Sequence, residues 1–294
     1  MKIAVHILAY NVNRFLKSVL ENVEPHVDKI YIAYPQKPWS YNESAYLTKT
    51  NPTKIADFKE LFSDKVEVIE GNWEKEEDMR NSCFEKAKNE GFDWLLIQDA
   101  DEFYSEYSWK QLKKTLHEDK QHDLLVTTWF NFWKSSHYVL VHPNGDIKYT
   151  NAGFAIRCKP NLKFISKRLT NAESRKIIDY PCFHYGYVMS DKEMDEKLKT
   201  WSHSHETNIE AWYKYKWLNW NMNTTNLHPV IPSTWEKAIR FPYEQPVFAA
   251  EFALDFNEKS KVSFKDLIGD FIFNLKETWN VLIRNTKRII KSMM

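Results

Sequence analysis

The stretch LLIQDADEFY, residues 95–104, decides the fold. Leu95, Leu96 and Ile97 form an apolar run that climbs straight into three acids within four residues, Asp99, Asp101 and Glu102. A run without polar alternation reads as a strand covered on both faces. In open α/β sheets, ligands bind beyond the carboxyl ends of such strands. The apolar run is then the anchor, and the acids are what it presents to a cleft. One carboxylate of Asp99-Ala100-Asp101 can hold a divalent metal while the other meets a ligand hydroxyl. Hard oxygen donors select Mg²⁺ or Mn²⁺, ions that usually meet substrate phosphates. A solvated acidic turn has the same composition, so the tripeptide does not decide between the two on its own.

Working outward, the first hundred residues alternate between strands and helices. KIAVHILAY (2–10), KIYIAYP (29–35), KVEVIE (65–70) and DWLLIQ (93–98) read as strands. Asn11 or Asn13 can cap a helix whose apolar face is Phe15, Leu16, Val19, Leu20 and Val23. NPTKIADFKELF (51–62) has Asn as cap and Pro at the first helical position, which predicts a helix. A helix over 74–91 turns Met79, Cys83, Phe84 and Ala87 inward and closes at Gly91. This rhythm predicts an α/β fold, a mostly parallel central sheet with helices on both faces. Further strands follow at 123–133, at a hairpin about Asn144–Gly145, and near 153–158, 162–167 and 178–184. Ser190 and Glu193 form a capping box. Helical sequence then runs to the end, broken by Pro229, Pro232, Pro242 and Pro246.

The 294 residues suit one large or two modest domains. With 41 basic and 40 acidic residues the net charge is +1, so no global field points to nucleic acid. Three cysteines without a CxxC argue against a disulfide framework, and a reducing cytoplasmic setting is the plain reading. The N-terminus is too short in apolar residues for a secretory signal, and no window reads as a spanning helix. Twelve Trp are many; sugar-binding clefts use aromatic faces, but so does an aromatic-rich core.

GNWEKEEDMRNSCFEKAKNEGFDWLLIQDADEFY (71–104) resembles the donor half of family 2 glycosyltransferases with the Rossmann-like fold called GT-A. Trp73, Asp78, Arg80, Asn81, Gly91, Asp93 and the acids at 99–102 carry the resemblance, and HILAYNVNRFLKSVLENV (6–23) is similar to that family's opening. FAIRCKPNLKFISKRLTNAE (154–173), followed by FHYGYV (183–188), resembles the acceptor-side segment and the His that closes the site in one subgroup. Two features depart from the family. The second strand ends in Tyr34 and Gln36 where relatives carry a base-contacting acid, and the usual Glu-Asp catalytic pair is absent.

The resemblance implies a metal-dependent transferase moving a sugar from a nucleotide-sugar donor to a hydroxyl acceptor, a glycan or a lipid-linked one, with inversion and with Mn²⁺ or Mg²⁺ as cofactor. Asp101 is the first metal ligand; Asp99 touches the ribose, metal-bound water or the metal. His184 completes the metal site or bonds the diphosphate, against a structural role. Glu102 is the alternative of a salt-bridge partner. Arg80, at a helix N-terminus, faces the nucleotide or pairs with Glu76 or Glu77. Tyr10, Asn11, Tyr34 and Trp73 line the donor side, Trp73 with a core role as the alternative. Glu173 is the general base and Asp179 the runner-up.

A sugar nucleotidyltransferase is disfavoured by the lack of any glycine before Gly71. A non-catalytic sugar-binding or assembly protein on the same fold is the rival from another class. Residues 1–205 form the expected catalytic domain and 206–294 a C-terminal helical region. Near the end, Leu275, Trp279, Leu282, Ile283, Ile289, Ile290 and Met293 share a helical face beside Lys276, Arg284, Lys287, Arg288 and Lys291. Such a helix lies on an anionic membrane or packs its apolar stripe on the catalytic domain; the second is the plainer expectation.

Overall fold

The computed structural model describes residues 1–200, 203, 206–255 and 262–293, with side chains described for all of these except 150–152 and 287–293. The expected side chains of Lys287, Arg288, Ile289, Ile290, Lys291 and Met293 thus lie outside the described residues. The chain divides into two compact units, Met1–Phe130 with Lys148–Gly186, and Asn131–Ile147 with Tyr187–Met294.

The first unit is built on β1 (Ile3–Leu8), α1 (Leu16–Val23), β2 (Lys29–Pro35), α2 (Glu43–Thr48), β3 (Val66–Gly71), α3 (Glu76–Asn89) and β4 (Trp94–Asp99). It continues through β5 (Glu102–Phe103), α4 (Glu106–Glu118) and most of β6 (Leu124–Trp133). The expected α/β architecture is present. Strands β3-β2-β1-β4 are parallel neighbours, with Leu8 opposite Ala33 and Asp99, and Pro35 opposite Gly71. This register brings the carboxyl ends of β1, β2 and β4 into line. Met79, Cys83, Phe84 and Ala87 of α3 pack on Ala4, Leu8, Tyr31, Ala33, Leu95 and Ile97, one face of the sheet. Each fully buried Leu, Ile, Phe or Met among them stabilises by about 1.5–3 kcal/mol. On the other face, Trp94 donates to the Leu116 carbonyl of α4 (3.2 Å). Gly91, at φ 73°, ends α3 as expected.

Three expectations need correction. Phe15, without a side-chain cap bond, sits at the cap of α1, while Asn11 is left-handed (φ 55°). Residues 51–62 hold a 3-10 helix, Ile55–Leu61, because Asn51 bonds to strand ends and caps nothing. The turn at Asn144–Gly145 exists, but β7 (Ser135–Val141) and β8 (Lys148–Arg157) do not pair with each other. Both pair with the ten-residue β6, and β8 also joins β4, antiparallel.

After β8 come the small hairpin β9 (Phe164–Ser166) and β10 (Leu169–Thr170), and then β11 (Arg175–Tyr187), which pairs with β5 and β6. The cysteines are all free.

The second unit holds β7, α5 (Asp191–Thr200), α6 (Ile209–Trp212), β12 (Lys237–Arg240) and α7 (Phe264–Met293). The predicted capping box is formed: Ser190 N–H donates to Glu193 (2.7 Å) and Glu193 N–H to Ser190 Oγ (3.3 Å). Trp133, Trp212, Trp217, Trp220 and Trp235 share one buried cluster with Tyr138 and Tyr187, so much of the Trp content is core. Lys134 lies 3.7 Å from the centre of the Trp217 ring and bonds Asp191 at 3.0 Å. Burial lowers its ammonium to about 8 despite Asp191.

Candidate active site

The acids of the opening stretch leave β4 at Asp99 and re-enter the sheet at β5. Glu102 pairs with His184 and Phe103 with Phe183 of β11, and Tyr185 N–H donates to the Asp101 carbonyl (2.8 Å). This pairing sets His184 Nε2 3.6 Å from Asp101 Oδ1. Trp129 backs the imidazole, ring centres 4.5 Å apart. One donor atom from each of Asp101, Glu102 and His184 lies within 4.8 Å of the others. The floor is Gly186: a Cβ there would stand 2.6 Å from His184 Nε2 and 3.1 Å from Asp101 Oδ2.

Behind this cluster runs a buried chain of charges. Arg80 of α3 is 1% exposed. It donates to Glu76 (3.0 and 2.8 Å) and Asp99 (2.9 Å), and meets His6 Nε2 at 2.9 Å. A guanidinium only donates, so Nε2 accepts and the His6 proton sits on Nδ1. Burial, aided by Arg80, holds His6 well below its usual pKa, hence neutral. Arg168, from the β9–β10 turn, donates to Asp99 (3.2 Å), to both oxygens of Glu102, to the Ile97 carbonyl (2.7 Å) and to the Gly153 carbonyl (3.1 Å). Its turn is fixed by α3. Asn81 exchanges two 2.9 Å bonds with the Phe164 backbone, and Lys167 N–H donates to Glu77 (2.9 Å).

Burial alone would raise the Asp99 carboxyl, but the Arg80 and Arg168 charges outweigh it and hold it far below the ordinary carboxylate range. Glu102 is pushed upward by burial, against the pull of Arg168.

Asp101 and His184 therefore fit a divalent cation: an oxygen and a nitrogen donor over a floor that any side chain would fill. Glu102 completes the group by distance, but both its oxygens are taken by Arg168. Asp99, expected among the ligands, is outside that group and engaged by two guanidiniums. Arg80, expected at the nucleotide, is buried among Glu76, His6 and Asp99.

Around the ends of β1 and β2, Asn11 N–H donates to Asn51 Oδ1 (3.1 Å), and Asn51 Nδ2 bridges the Ala9 and Pro35 carbonyls, both at 2.7 Å. The Tyr34 hydroxyl donates to the Thr53 carbonyl (2.7 Å). Trp73 lies against Gly71, where a Cβ would come within 2.6 Å of its ring. Tyr10 is half-buried just past the end of β1. The register gathers these residues at the same sheet edge as Asp99.

The two base candidates are elsewhere. Glu173 is exposed. The carbonyl of its neighbour Ser174 accepts from Asp123 and Leu124 (2.9 and 3.0 Å). Leu124 and Leu95 both face Ile156, so Glu173 lies near the start of β4. Asp99 is four residues further on, roughly 13 Å along the strand. Asp179 pairs with Lys148 (2.7 Å) and Thr128 (3.1 Å). It lies five residues from His184 on β11, roughly 16 Å. Neither is brought to the cluster.

Sequence reasoning missed Arg168, His6, Asn51 and the floor role of Gly186. Only Gly186 left a signal, a glycine two residues after the candidate His.

No family model matches the chain, and no curated protein matches it. Among solved structures it is similar to S. aureus TarS 1-349, at 13% identity and TM-score 0.40, over 74% of this chain and 71% of that one. It is also similar to the 4-diphosphocytidyl-2C-methyl-D-erythritolsynthase of Anaerococcus prevotii, at 14% identity and TM-score 0.36, over 60% and 86% of the two chains. HddC of Yersinia pseudotuberculosis follows at 12% and 0.37, over 61% and 90%.

Proposed function

We propose that the chain is a metal-dependent glycosyltransferase that moves a sugar from a nucleotide-sugar donor to a hydroxyl of a glycan or lipid-linked acceptor. The observation that carries this reading is Asp101 beside His184 over the Gly186 floor, two residues past the ionised Asp99 at the carboxyl end of a parallel strand. A divalent cation held by Asp101 and His184 would offset the charge of a departing diphosphate. Asp99, kept ionised, accepts from the donor's ribose hydroxyls. Arg80 and Arg168 act one step back, holding the Asp99 and Glu102 carboxylates. Asn11 and Tyr10 meet the base, with Trp73 as a wall; the Tyr34 hydroxyl is spent on Thr53 and contributes its ring. Glu173 and Asp179 are too far from Asp101 for the base role, so their amides should leave turnover intact.

The test is release of nucleoside diphosphate from a panel of nucleotide sugars with Mn²⁺. Wild-type chain should release it steadily, and Asp101→Asn should abolish release while the melting temperature holds. Binding without release by the wild type would instead favour a non-catalytic sugar-binding protein. Activity unchanged in Asp101→Asn would remove the metal assignment.

A further inference from the structure

Helix α7 is turned inside out. Its polar residues face the second unit: Asp266 pairs with Lys214 (2.8 Å) and Asp270 with the buried Lys216 (2.5 Å). Arg284 donates to the carbonyls of Glu206 and Val230 (2.7 and 2.8 Å), and Glu277 is 4% exposed. Tyr215 stacks so closely on Gly269 that a Cβ there would meet its ring at 2.5 Å. The apolar stripe points the other way. Phe264, Leu267, Phe271, Leu275, Trp279 and Leu282 recur at three- and four-residue spacing and are all more than half exposed, Phe271 at 63% and Trp279 at 64%. They span roughly 30 Å of helix. This corrects the plainer expectation, in which the stripe packs on the fold.

Soluble proteins rarely leave so continuous an apolar face to water, and the charges around it say what covers it. All three acids of α7, Asp266, Asp270 and Glu277, are turned inward, whereas Lys265 and Lys276 are exposed. Between 276 and 291 the sequence has five basic residues and one acid, the buried Glu277. A two-fold pairing of this stripe with a second copy would set Lys276, near its midpoint, against itself. An anionic lipid surface accepts both the aromatic-aliphatic stripe and the lysines. No helix among the described residues is long and apolar enough to cross a membrane, so the contact is one of lying on the surface.

We propose that the outer face of α7 docks on an anionic membrane, with Phe271, Leu275 and Trp279 entering the headgroup region and Lys276 meeting lipid phosphates. The full chain is sedimented at low salt with vesicles of equal phosphatidylcholine and phosphatidylglycerol, and with phosphatidylcholine vesicles alone. It should bind the first and not the second. The double variant Leu275→Glu/Trp279→Glu should bind at least about tenfold more weakly, and Lys276→Ala about fivefold. These positions are exposed, so melting temperatures should not move. Full chain left in the supernatant with anionic vesicles overturns the proposal, as does equal binding to both vesicle types or unchanged binding by the double variant. Sedimentation velocity without lipid should give a monomer; a dimer that the double variant dissolves would show that a second copy covers the face, and would also overturn it. No readout here depends on turnover, so the test stands apart from the transferase reading.

Discussion

Helices α3 and α7 are both amphipathic and both bury charge, yet they face opposite ways. In α3 the apolar residues Met79, Cys83, Phe84 and Ala87 enter the core, and Arg80 goes in beside them because Glu76, Asp99 and His6 wait for it. In α7, among the described side chains, the inner face is mostly ion pairs with one buried hydrophobic, Phe273, and Phe271, Leu275 and Trp279 are outside. A stripe thus establishes that a helix has two faces. Its neighbours decide which one is inside.

The sharpest way to break this contrast is Arg80→Met. Removing one member of a buried pair strands the other charges, at a cost of about 3–5 kcal/mol. If Asp99 owes its position to Arg80, donor turnover should fall as well, and further than in an equally destabilised core variant. Urea unfolding together with diphosphate release checks both halves. A mild stability loss with full activity would mean that Arg168 alone suffices.

Next comes the pair Phe84→Ala and Phe271→Ala. The first empties a fully buried site and should cost about 3 kcal/mol. The second removes an exposed ring and should stay within about 0.5 kcal/mol. Equal losses in chemical denaturation would show that the outer face of α7 is covered within the monomer.

The smallest effect is in pH. His228 Nδ1 accepts from the Val230 and Ile231 N–H groups (3.1 and 2.9 Å), in the segment whose carbonyl holds Arg284 of α7. Burial lowers its pKa to about 3, so it is neutral in the fold. The unfolded chain binds this proton below about pH 6.5. Unfolding therefore takes up a proton, and stability is lost as pH falls below 6.5, by about 0.7 kcal/mol between pH 7 and pH 6. Stability measured at those two pH values should fall by about 0.7 kcal/mol less in His228→Gln than in wild type, while the loss due to the buried, neutral His6 persists in both. An equal slope in both chains would mean that other groups carry it.

Legibility follows the range of the interaction. The inward face of α3 and its end at Gly91 were readable because both depend on neighbours within a few residues. The strand-end position of Asp99 and Asp101 was readable because an apolar run announces a buried strand. Arg168 was not: its partners Asp99, Glu102 and Gly153 come from three other strands, 69, 66 and 15 residues away. Asn51 was misread because its position before Pro52 imitates a helix cap, while its amide spans the ends of β1 and β2. The orientation of α7 was half legible. Asp266, Asp270, Phe273 and Glu277 recur along the side opposite the stripe, and acids so spaced can mark a docked face as well as a wet one.

Gly186 carries a different kind of consequence. The wall beneath Asp101 and His184 is a single backbone hydrogen, with no rotamer to swing aside. The surrounding charges are governed by Arg80 and Arg168, which hold Asp99 and Glu102. Exchanging that hydrogen for a methyl would put a carbon 2.6 Å from His184 Nε2 and oblige the imidazole to shift. Charge and room beside Asp101 are thus set by different residues.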